Sequence, residues 1–151
     1  IQEGKGRCDL MPLDVVSTFL KTAYDEEHLT TTYVVFDEIS RFQEDGSVDH
    51  LYEALLYGCP FDNLFTMLLE ISKHFEDGAK KYGPDNWRRG IPVHCYIDSA
   101  VRHYMKFLRG DNDEPHDRAF CWNIMCAIWT CKHKPELNEY EAKEEKSDVQ
   151  T

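Results

Sequence analysis

Apolar residues recur every three or four positions along most of the chain, which is the spacing of amphipathic helices. This pattern predicts helices over residues 13–24, 33–46, 48–58, 63–83, 93–108 and 114–131. Residues that favour helix caps and stops stand where these segments meet, namely Ser47, Asp62 or Asn63, Gly46, Gly58 and Gly110. A strand over 30–35 competes with one helix start, but no segment requires a strand. We therefore expect an all-α fold, a compact bundle of about five to six helices.

Two segments depart from the helical pattern. Residues 84–92 carry proline at both ends and Gly90 between them, which predicts a loop rich in hydrogen-bond donors. Loops on a rigid scaffold are favoured places for binding groups. After residue 134 acids dominate and apolar residues are few, which predicts a disordered acidic tail over 135–151. One helical domain over 1–134 remains.

The composition limits the classes of partner. A chain of 151 residues with 42% apolar and 30% charged residues is typical of a single globular domain. Its net charge of −11 argues against docking on nucleic-acid backbones or acidic membranes. No apolar run approaches the roughly 20 residues that span a bilayer, and no signal-peptide pattern is present. We therefore expect a cytoplasmic protein that binds neither polymeric nucleic acid nor a membrane.

The six cysteines show neither a C-x-x-C motif nor paired zinc spacing. We expect them to be small buried apolar residues in a reducing compartment. A zinc site at Cys131 and His133 is an alternative that lacks further ligands.

Acids, bases and histidines recur at helical spacing between residues 70 and 117. The sets that share a helix face are Glu70–His74–Asp77, Asp98–Arg102 and Glu114–Asp117. Three such faces could converge on a divalent cation such as Mg²⁺, which takes oxygen ligands and brings phosphates with it. For each set the alternative is a solvated face with weak ion pairs.

Longer motifs run through the same residues. GAKKYGPDNWRRG (78–90) is followed by RH (102–103) and the acidic run DNDEPHD (111–117), and GKGRCDLMP (4–12) lies near the start. Together they resemble the phage and prophage dATP/dGTP diphosphohydrolases, whose motifs are GAxKYGxxNWxxG, RH, an acidic segment with histidine, and GKxRxDLLP. The resemblance covers residues 4–12 and 71–130. Residues 24–61 look like a variable or inserted helical region within the domain.

The resemblance implies kinship with the all-α, MazG-like NTP pyrophosphohydrolases, which hold Mg²⁺ between helices and release a monophosphate and pyrophosphate. It implies a purine dNTP as substrate, Mg²⁺ or Mn²⁺ as cofactor, a homo-oligomer, and, for a phage protein, the host cytosol. The family's acidic signature is E-x-x-E on one helix and E-x-x-D on the next. Glu114 and Asp117 fit the second half, whereas Glu70 and His74 stand where the first is expected.

On this basis we assign candidate roles. The candidate metal ligands are Glu70, His74, Asp98, Glu114 and Asp117. The candidate catalytic residues are His103, Glu114 and Asp117. The candidate substrate-binding residues are Lys80, Lys81, Tyr82, Asn86, Trp87 and Arg102. The cations would neutralise the triphosphate, and Arg102 offers a fork for bidentate contact. Asn86 would contact a base edge, and Trp87 or Tyr82 would stack on the ring. His103 or a carboxylate would activate water; ordinary packing is the alternative for His103 and the aromatic residues.

Two other functional classes compete with this hypothesis. His116–Asp117, with His74 and His103 upstream, is typical of an HD-type metal phosphohydrolase, although the later aspartate such a site needs would have to be Asp148 in the tail. The second is a non-catalytic protein that sequesters a nucleotide or cyclic nucleotide on the same scaffold. The products formed from each dNTP separate these hypotheses.

Overall fold

The computed structural model describes residues 4–23 and 31–141. Within these ranges the chain forms six α-helices: α1 (Leu13–Ala23), α2 (Thr32–Asp45), α3 (Val48–Tyr57), α4 (Leu64–Tyr82), α5 (Val93–Arg109) and α6 (His116–His133). Short 3₁₀ helices lie at Cys8–Leu10, Asn86–Arg89 and Pro135–Leu137. The same ranges contain no strand, so the predicted all-α bundle is confirmed.

Local chemistry sets several helix ends. At the start of α3 the side chain of Ser47 accepts a hydrogen bond from a first-turn N–H at 3.4 Å, and Asn63 does so at 2.7 Å for α4. Gly46 and Gly110 end α2 and α5 in the left-handed conformation, with φ of 72° and 93°. The predicted ends of α2, α3, α4 and α5 therefore lie within one residue of the observed ones.

Helix α6 is the centre of the bundle. Its buried residues lie all around the helix, and α3, α4 and α5 pack against it. Helix α2 packs against α1 and α3, and contributes Phe36 and Phe42, which are 2% and 0% exposed. Leu51 of α3 is also completely buried. The region 24–61 thus contributes side chains to the core, while residues 24–30 lie outside the described ranges.

The start of α6 differs from the prediction. The helix begins at His116, and Pro115 precedes it with φ −77° and ψ 79°. A proline disfavours the helical conformation of the residue before it, so Glu114 is excluded from the helix. The i, i+3 argument that aligned Glu114 with Asp117 therefore does not apply, because it holds only when both residues are helical.

Residues 135–141 pack against α2, although disorder is predicted from residue 135. Asn138 is 3% exposed and donates a hydrogen bond to the Gly46 carbonyl at 3.1 Å. The Tyr140 ring meets the Phe42 ring at 5.3 Å in an edge arrangement. A buried asparagine and a partly buried tyrosine therefore hold this segment despite its acidic composition. The rest of the predicted tail, 142–151, lies outside the described residues.

All six cysteines are free thiols, and Cys8, Cys121, Cys126 and Cys131 are buried. Burial raises the pKa of Cys121 and of Cys131 to about 12, as expected for thiols that pack as apolar groups. No group of three candidate ligands in the described ranges includes Cys131, so the structure does not support the zinc alternative.

In the described part of the chain, the helices are too short or too polar to cross a bilayer.

Candidate active site

A cleft of about 850 Å³ opens between the second half of α4, residues 86–91, the first half of α5 and the start of α6. Its charged lining residues are the cations Lys5, Lys81, Arg89, Arg102 and Arg118 and the acids Asp77, Asp98 and Glu114. Cations outnumber acids here, whereas the whole chain carries a net charge of −11. The cleft is therefore suited to an anionic ligand.

Aromatic side chains form one wall of the cleft. Trp122 contacts Phe75 and His74, with ring centroids 5.8 Å and 5.1 Å apart. Trp87 meets Phe75 at 5.2 Å, and Tyr82 is 69% exposed at the rim. Trp87 thus packs against the protein and lines the cleft at once. Such a wall can stack on a nucleobase.

Four buried polar atoms in the walls of the cleft make no hydrogen bond with the described residues of the protein. His74 Nδ1, Arg102 Nε, Arg118 Nε and Trp122 Nε1 are the buried side-chain nitrogen or oxygen atoms in the described ranges that lack a hydrogen-bond partner. All four residues line the cleft. An unsatisfied buried donor costs about 1–3 kcal/mol, and the arginine and tryptophan nitrogens can only donate. A ligand that brings acceptor oxygens would satisfy them.

A histidine and carboxylate cluster lies beside the cleft. Nδ1 of His103 and Nδ1 of His116 are 2.8 Å apart, and His103 Nδ1 lies 3.8 Å from the Glu114 carboxylate. His103, Glu114 and His116 each offer a ligand atom within 4.8 Å of the others. Burial lowers the pKa of His103 to about 4, which keeps its imidazole neutral and able to bind a cation. This donor set fits a divalent metal ion.

A second group shares His116. Its Nε2 lies 2.7 Å from Asp113, and Asp111, Asp113 and His116 also offer ligand atoms within 4.8 Å of one another. Asp111 is already paired with Arg109 through two hydrogen bonds. The hydrogen bond from His116 lowers the pKa of Asp113, so this carboxylate is ionised and orients the buried ring.

Arg102 and Asp98 are engaged with each other and with the N-terminal residues. Nη2 of Arg102 donates to both oxygens of Asp98, at 2.9 Å and 2.8 Å, and to the Gly6 carbonyl at 2.5 Å. Asp98 is 1% exposed and also accepts from the Cys8 N–H at 2.6 Å. The structure thus places Asp98 in an ion pair with the protein, in place of the expected metal contact. The Nε of Arg102 makes no hydrogen bond within the described part of the protein, so it can donate to a ligand in the cleft.

The match to known protein families decides the identity. The sequence model of the family described as dATP/dGTP diphosphohydrolase, N-terminal, matches residues 50–140, which is more than half of the chain.

The chain belongs to this family.

The family is named for hydrolysis of dATP and dGTP, so membership makes the chain a hydrolase of the nucleoside triphosphate diphosphatase type. No curated protein and no solved structure matches the chain. The dATP/dGTP diphosphohydrolase match begins at residue 50, so α3 and part of the predicted variable region 24–61 fall inside it. The motif at 4–12 lies outside the match, yet its backbone packs onto α5.

Besides Asp98, two further acids expected at the site, Glu70 and Asp117, lie apart from the cluster. Asp77 pairs with Arg118 at 2.8 Å and His74 meets Trp122, so α4 and α6 run antiparallel. Glu70 is seven residues before Asp77, about 10 Å further along the helix, and pairs with Lys73 at 2.5 Å. Glu70 is therefore directed away from the end of α6 near Glu114.

Asp117 is the other. Asp117 lies in the first turn of α6 and accepts a hydrogen bond from the Arg118 N–H at 2.8 Å. Its negative charge contributes to the raised pKa of Cys121, one turn later in the helix. Neither Asp117 nor Glu70 belongs to a candidate ligand group in the described ranges. Because Glu114 precedes the helix, it does not share a helix face with Asp117.

The remaining predicted substrate residues divide into two sets. Lys81, Tyr82, Asn86 and Trp87 line the cleft together with His74. Lys80 does not line it, because its position on α4 directs the side chain to Glu76, 3.9 Å away. Burial lowers the pKa of His74, so this ring is neutral and offers Nδ1 to the cleft.

Sequence reasoning missed several residues that the fold brings to the cleft or to the cluster beside it, namely Lys5, Arg89, Asp113, Arg118 and Trp122. His116 entered only through the HD-type alternative. Arg118 follows Asp117 directly, yet faces the cleft while Asp117 does not, because neighbouring helical residues point about 100° apart. His103 and His116 are 13 positions apart and lie on two different helices, so helical spacing in the sequence does not predict their contact.

Proposed function

We propose that the chain hydrolyses a purine deoxynucleoside triphosphate, dATP or dGTP, to the monophosphate and pyrophosphate with a divalent cation. The observation that carries this proposal is the set of four unsatisfied buried polar atoms that all line one cationic and aromatic cleft. Membership of the dATP/dGTP diphosphohydrolase family supports the substrate class.

Different walls of the cleft would bind the base and the triphosphate of the nucleotide. Trp87 and Trp122 would hold the base by stacking, and the Asn86 amide would contact a base edge. Lys81 and Arg118 would neutralise the triphosphate, and the unpaired Arg118 Nε would donate to a phosphate oxygen. Asp77 orients Arg118 through their ion pair, which fixes the fork toward the cleft.

His103, Glu114 and His116 would hold the cation. When bound, the cation would supply charge neutralisation and would lower the pKa of a coordinated water. Imidazole nitrogens are poorer ligands for Mg²⁺ than for transition metals, whereas carboxylates suit both Mg²⁺ and Mn²⁺. The mixed donor set therefore favours Mn²⁺ over Mg²⁺.

Side chains of the protein would accept the proton of the attacking water and stabilise the negative charge on the leaving group. Water attacks the α-phosphorus, the bond to the oxygen that bridges the α and β phosphates breaks, and the electron pair leaves with pyrophosphate. A Glu114 oxygen that is not committed to the cation would accept the proton of the attacking water. Arg118 and Lys81 would stabilise the charge that develops on the leaving pyrophosphate.

The test is the product formed from each dNTP. We expect monophosphate and pyrophosphate from dATP and dGTP, with higher turnover in Mn²⁺ than in Mg²⁺ at equal concentration. Glu114→Gln should lower kcat at least about 100-fold, because it removes a ligand and a proton acceptor. Glu114 is exposed, so the variant should fold. Glu76→Gln, an exposed carboxylate on α4 outside the cleft, is the matched control.

Asp117→Asn separates the two ligand sets. If the cluster around His116 holds the cation, this variant should keep more than half of wild-type kcat. A loss as large as that of Glu114→Gln would instead support the helix-spacing prediction. Full activity of Glu114→Gln would remove the proposed cluster.

One observation favours a second candidate. The direct contact between His103 and His116 is the kind of histidine pair that an HD-type phosphohydrolase uses. Such an enzyme can release the whole triphosphate chain as one product. Formation of nucleoside and tripolyphosphate, with no pyrophosphate, would favour the HD-type function over the diphosphohydrolase.

A further inference from the structure

The residues before α1 cross one edge of the cleft. We call Gly4–Leu10 the N-terminal strap. Three hydrogen bonds fix it to the body: the Cys8 N–H to Asp98 at 2.6 Å, Arg102 to the Gly6 carbonyl at 2.5 Å, and Gln43 to the Asp9 carbonyl at 2.9 Å. The strap therefore has a defined path across α5.

Asp98 is the residue on which this path depends. It is 1% exposed, and a buried carboxylate is stable only when its charge is paired and its oxygens are hydrogen-bonded. Arg102 supplies the charge and the Cys8 N–H supplies a further donor. Arg102 in turn holds Gly6, so the same ion pair binds the strap at two points.

The strap carries one cation into the cleft. Lys5 lines the cleft and stands between Gly4 and Gly6, whose φ values are +82° and +86°. Residues with side chains rarely adopt this conformation, so the two glycines allow the chain to turn on both sides of Lys5. A Cβ at either glycine would meet nothing within 4 Å, so backbone conformation rather than space requires glycine there.

We propose that Lys5 is a further polyphosphate-binding residue, and that Asp98, with Arg102, is the positioning residue that holds Lys5 at the cleft through the strap. This inference rests on the proposed function, because it assigns Lys5 to the phosphates of the same substrate. The lysine ammonium is a compact charge with three donors, which suits a phosphate chain. The cleft already gathers Lys81 and Arg118 beside it.

Inorganic tripolyphosphate tests the assignment without turnover. Its affinity for the full chain is measured by calorimetry in metal-free buffer. Lys5→Ala should weaken binding at least fivefold, and Lys5→Arg should restore it to within about twofold. Lys21→Ala removes the same charge from the exposed end of α1, outside the cleft, and should leave binding unchanged. Equal binding by Lys5→Ala and wild type, or no binding by wild type, overturns the proposal.

A double-mutant cycle tests the positioning role. Asp98→Asn should weaken tripolyphosphate binding in the wild-type background and change it less than twofold in the Lys5→Ala background. An equal loss in both backgrounds would assign the effect to Arg102 or to general unfolding, and would refute positioning. If Asp98→Asn does not fold, Gly6→Ala takes its place in the cycle, because the φ of +86° strains any side chain there and so displaces the strap that Asp98 and Arg102 hold. A loss of the same size in the Lys5→Ala background would again refute positioning.

The kinetics distinguish failure of this inference from failure of the proposed function. Lys5→Ala should raise KM for the dNTP at least fivefold with kcat changed less than threefold, because the contact is made in the ground state and the transition state alike. Tripolyphosphate binding that depends on Lys5, without any dNTP turnover, would uphold the strap and reject the hydrolase. Turnover of the dNTP with an unchanged KM in Lys5→Ala would uphold the hydrolase and reject the phosphate-binding role of Lys5.

Discussion

His50 lies between two carboxylates at the corner where α2 meets α3. Its Nδ1 is 2.9 Å from Glu38 and its Nε2 is 3.0 Å from Asp45. Burial alone would lower the pKa of His50, but the hydrogen bonds and charges of the two acids outweigh it and raise the pKa above its ordinary value of 6.5. The corner is therefore more stable when His50 is protonated.

This arrangement predicts a pH-dependent stability. A raised pKa contributes stability that is complete below about 6.5 and is lost as the pH rises through the folded-state pKa. His50→Gln should therefore cost about 1 kcal/mol more at pH 5.5 than at pH 8.5, the size typical of a well-placed ion pair. Urea unfolding at both pH values measures the difference. An equal cost at the two pH values would show that the ion pairs contribute nothing.

Single residues also explain how much of the candidate site could be predicted. The cleft residues Lys81, Asn86 and Trp87 were predicted from their motif, whose close spacing in sequence keeps them near one another at the end of α4 and the turn that follows. Pro115 is different, because its effect on Glu114 decides which groups that acid meets. Arg102, the ion-pair partner of Asp98, is four residues away and was visible in the sequence, but Cys8, whose N–H also bonds Asp98, is 90 residues away. The local pattern therefore could not show that Asp98 is buried under the N-terminal residues.

At the scale of helices, two glycines that look alike in sequence have opposite surroundings. Gly58 follows α3 with an ordinary φ of −86°, and a Cβ there would lie 2.6 Å from a Phe120 ring atom. Phe120 is 1% exposed, so the ring cannot move aside. Gly78 lies inside α4, and a Cβ there would meet nothing within 4 Å.

Alanine at the two positions should therefore have opposite effects. Gly58→Ala should destabilise the fold by about 1–3 kcal/mol, the cost of overpacking a core contact. Gly78→Ala should stabilise it by up to about 1 kcal/mol, because alanine loses less backbone entropy in a helix. Thermal and urea unfolding of both variants measure the two shifts. A neutral Gly58→Ala would mean that α3 and α6 can move apart without cost.

Helices were predictable where their ends are encoded locally. Ser47, Asn63, Gly46 and Gly110 act through their own side chain or backbone conformation, so they can be recognised without the fold. The helical turn at Asn86–Arg89 lies in the predicted loop, where two prolines and a glycine mask it. How the helices pack around α6 was not predictable, because α6 is apolar on most of its surface and shows no single buried face.

At the scale of the whole molecule, residues 135–141 complete the core next to α2. Burial raises the pKa of Tyr140 to about 12, and its ring covers Phe42, which is fully buried. Tyr140→Ala should therefore lower the free energy of unfolding by about 2 kcal/mol. Glu141→Ala, at an exposed neighbouring side chain, is the control and should change it by less than about 0.5 kcal/mol. Equal stability of the two variants would contradict the docking of this segment.

The first half of α4 exposes a large apolar face. Leu64, Phe65, Leu68 and Leu69 are between 45% and 73% exposed, an unusual density for one helix surface. We propose that a second copy of the chain covers this face, since a twofold axis would bury the same four side chains of each copy against one another.

Sedimentation tests this association. The wild type should have at least twice the 17.7 kDa mass of one chain. Phe65→Glu combined with Leu69→Glu should shift it to a monomer, because the charges would be buried at the contact. Phe19→Glu, at the 67% exposed Phe19 of α1, should leave the mass unchanged. A wild type that sediments only as a monomer would reject the proposal.

The contrast between a cationic cleft and an acidic exterior has a kinetic consequence. A free polyphosphate is repelled by most of the surface and attracted at one opening, so collisions elsewhere are short and the productive approach is electrostatically guided. Salt screens both effects over roughly 10 Å at 0.1 M ionic strength. The rate at which the nucleotide is captured should accordingly depend on ionic strength, because salt weakens the attraction at the cleft together with the repulsion elsewhere.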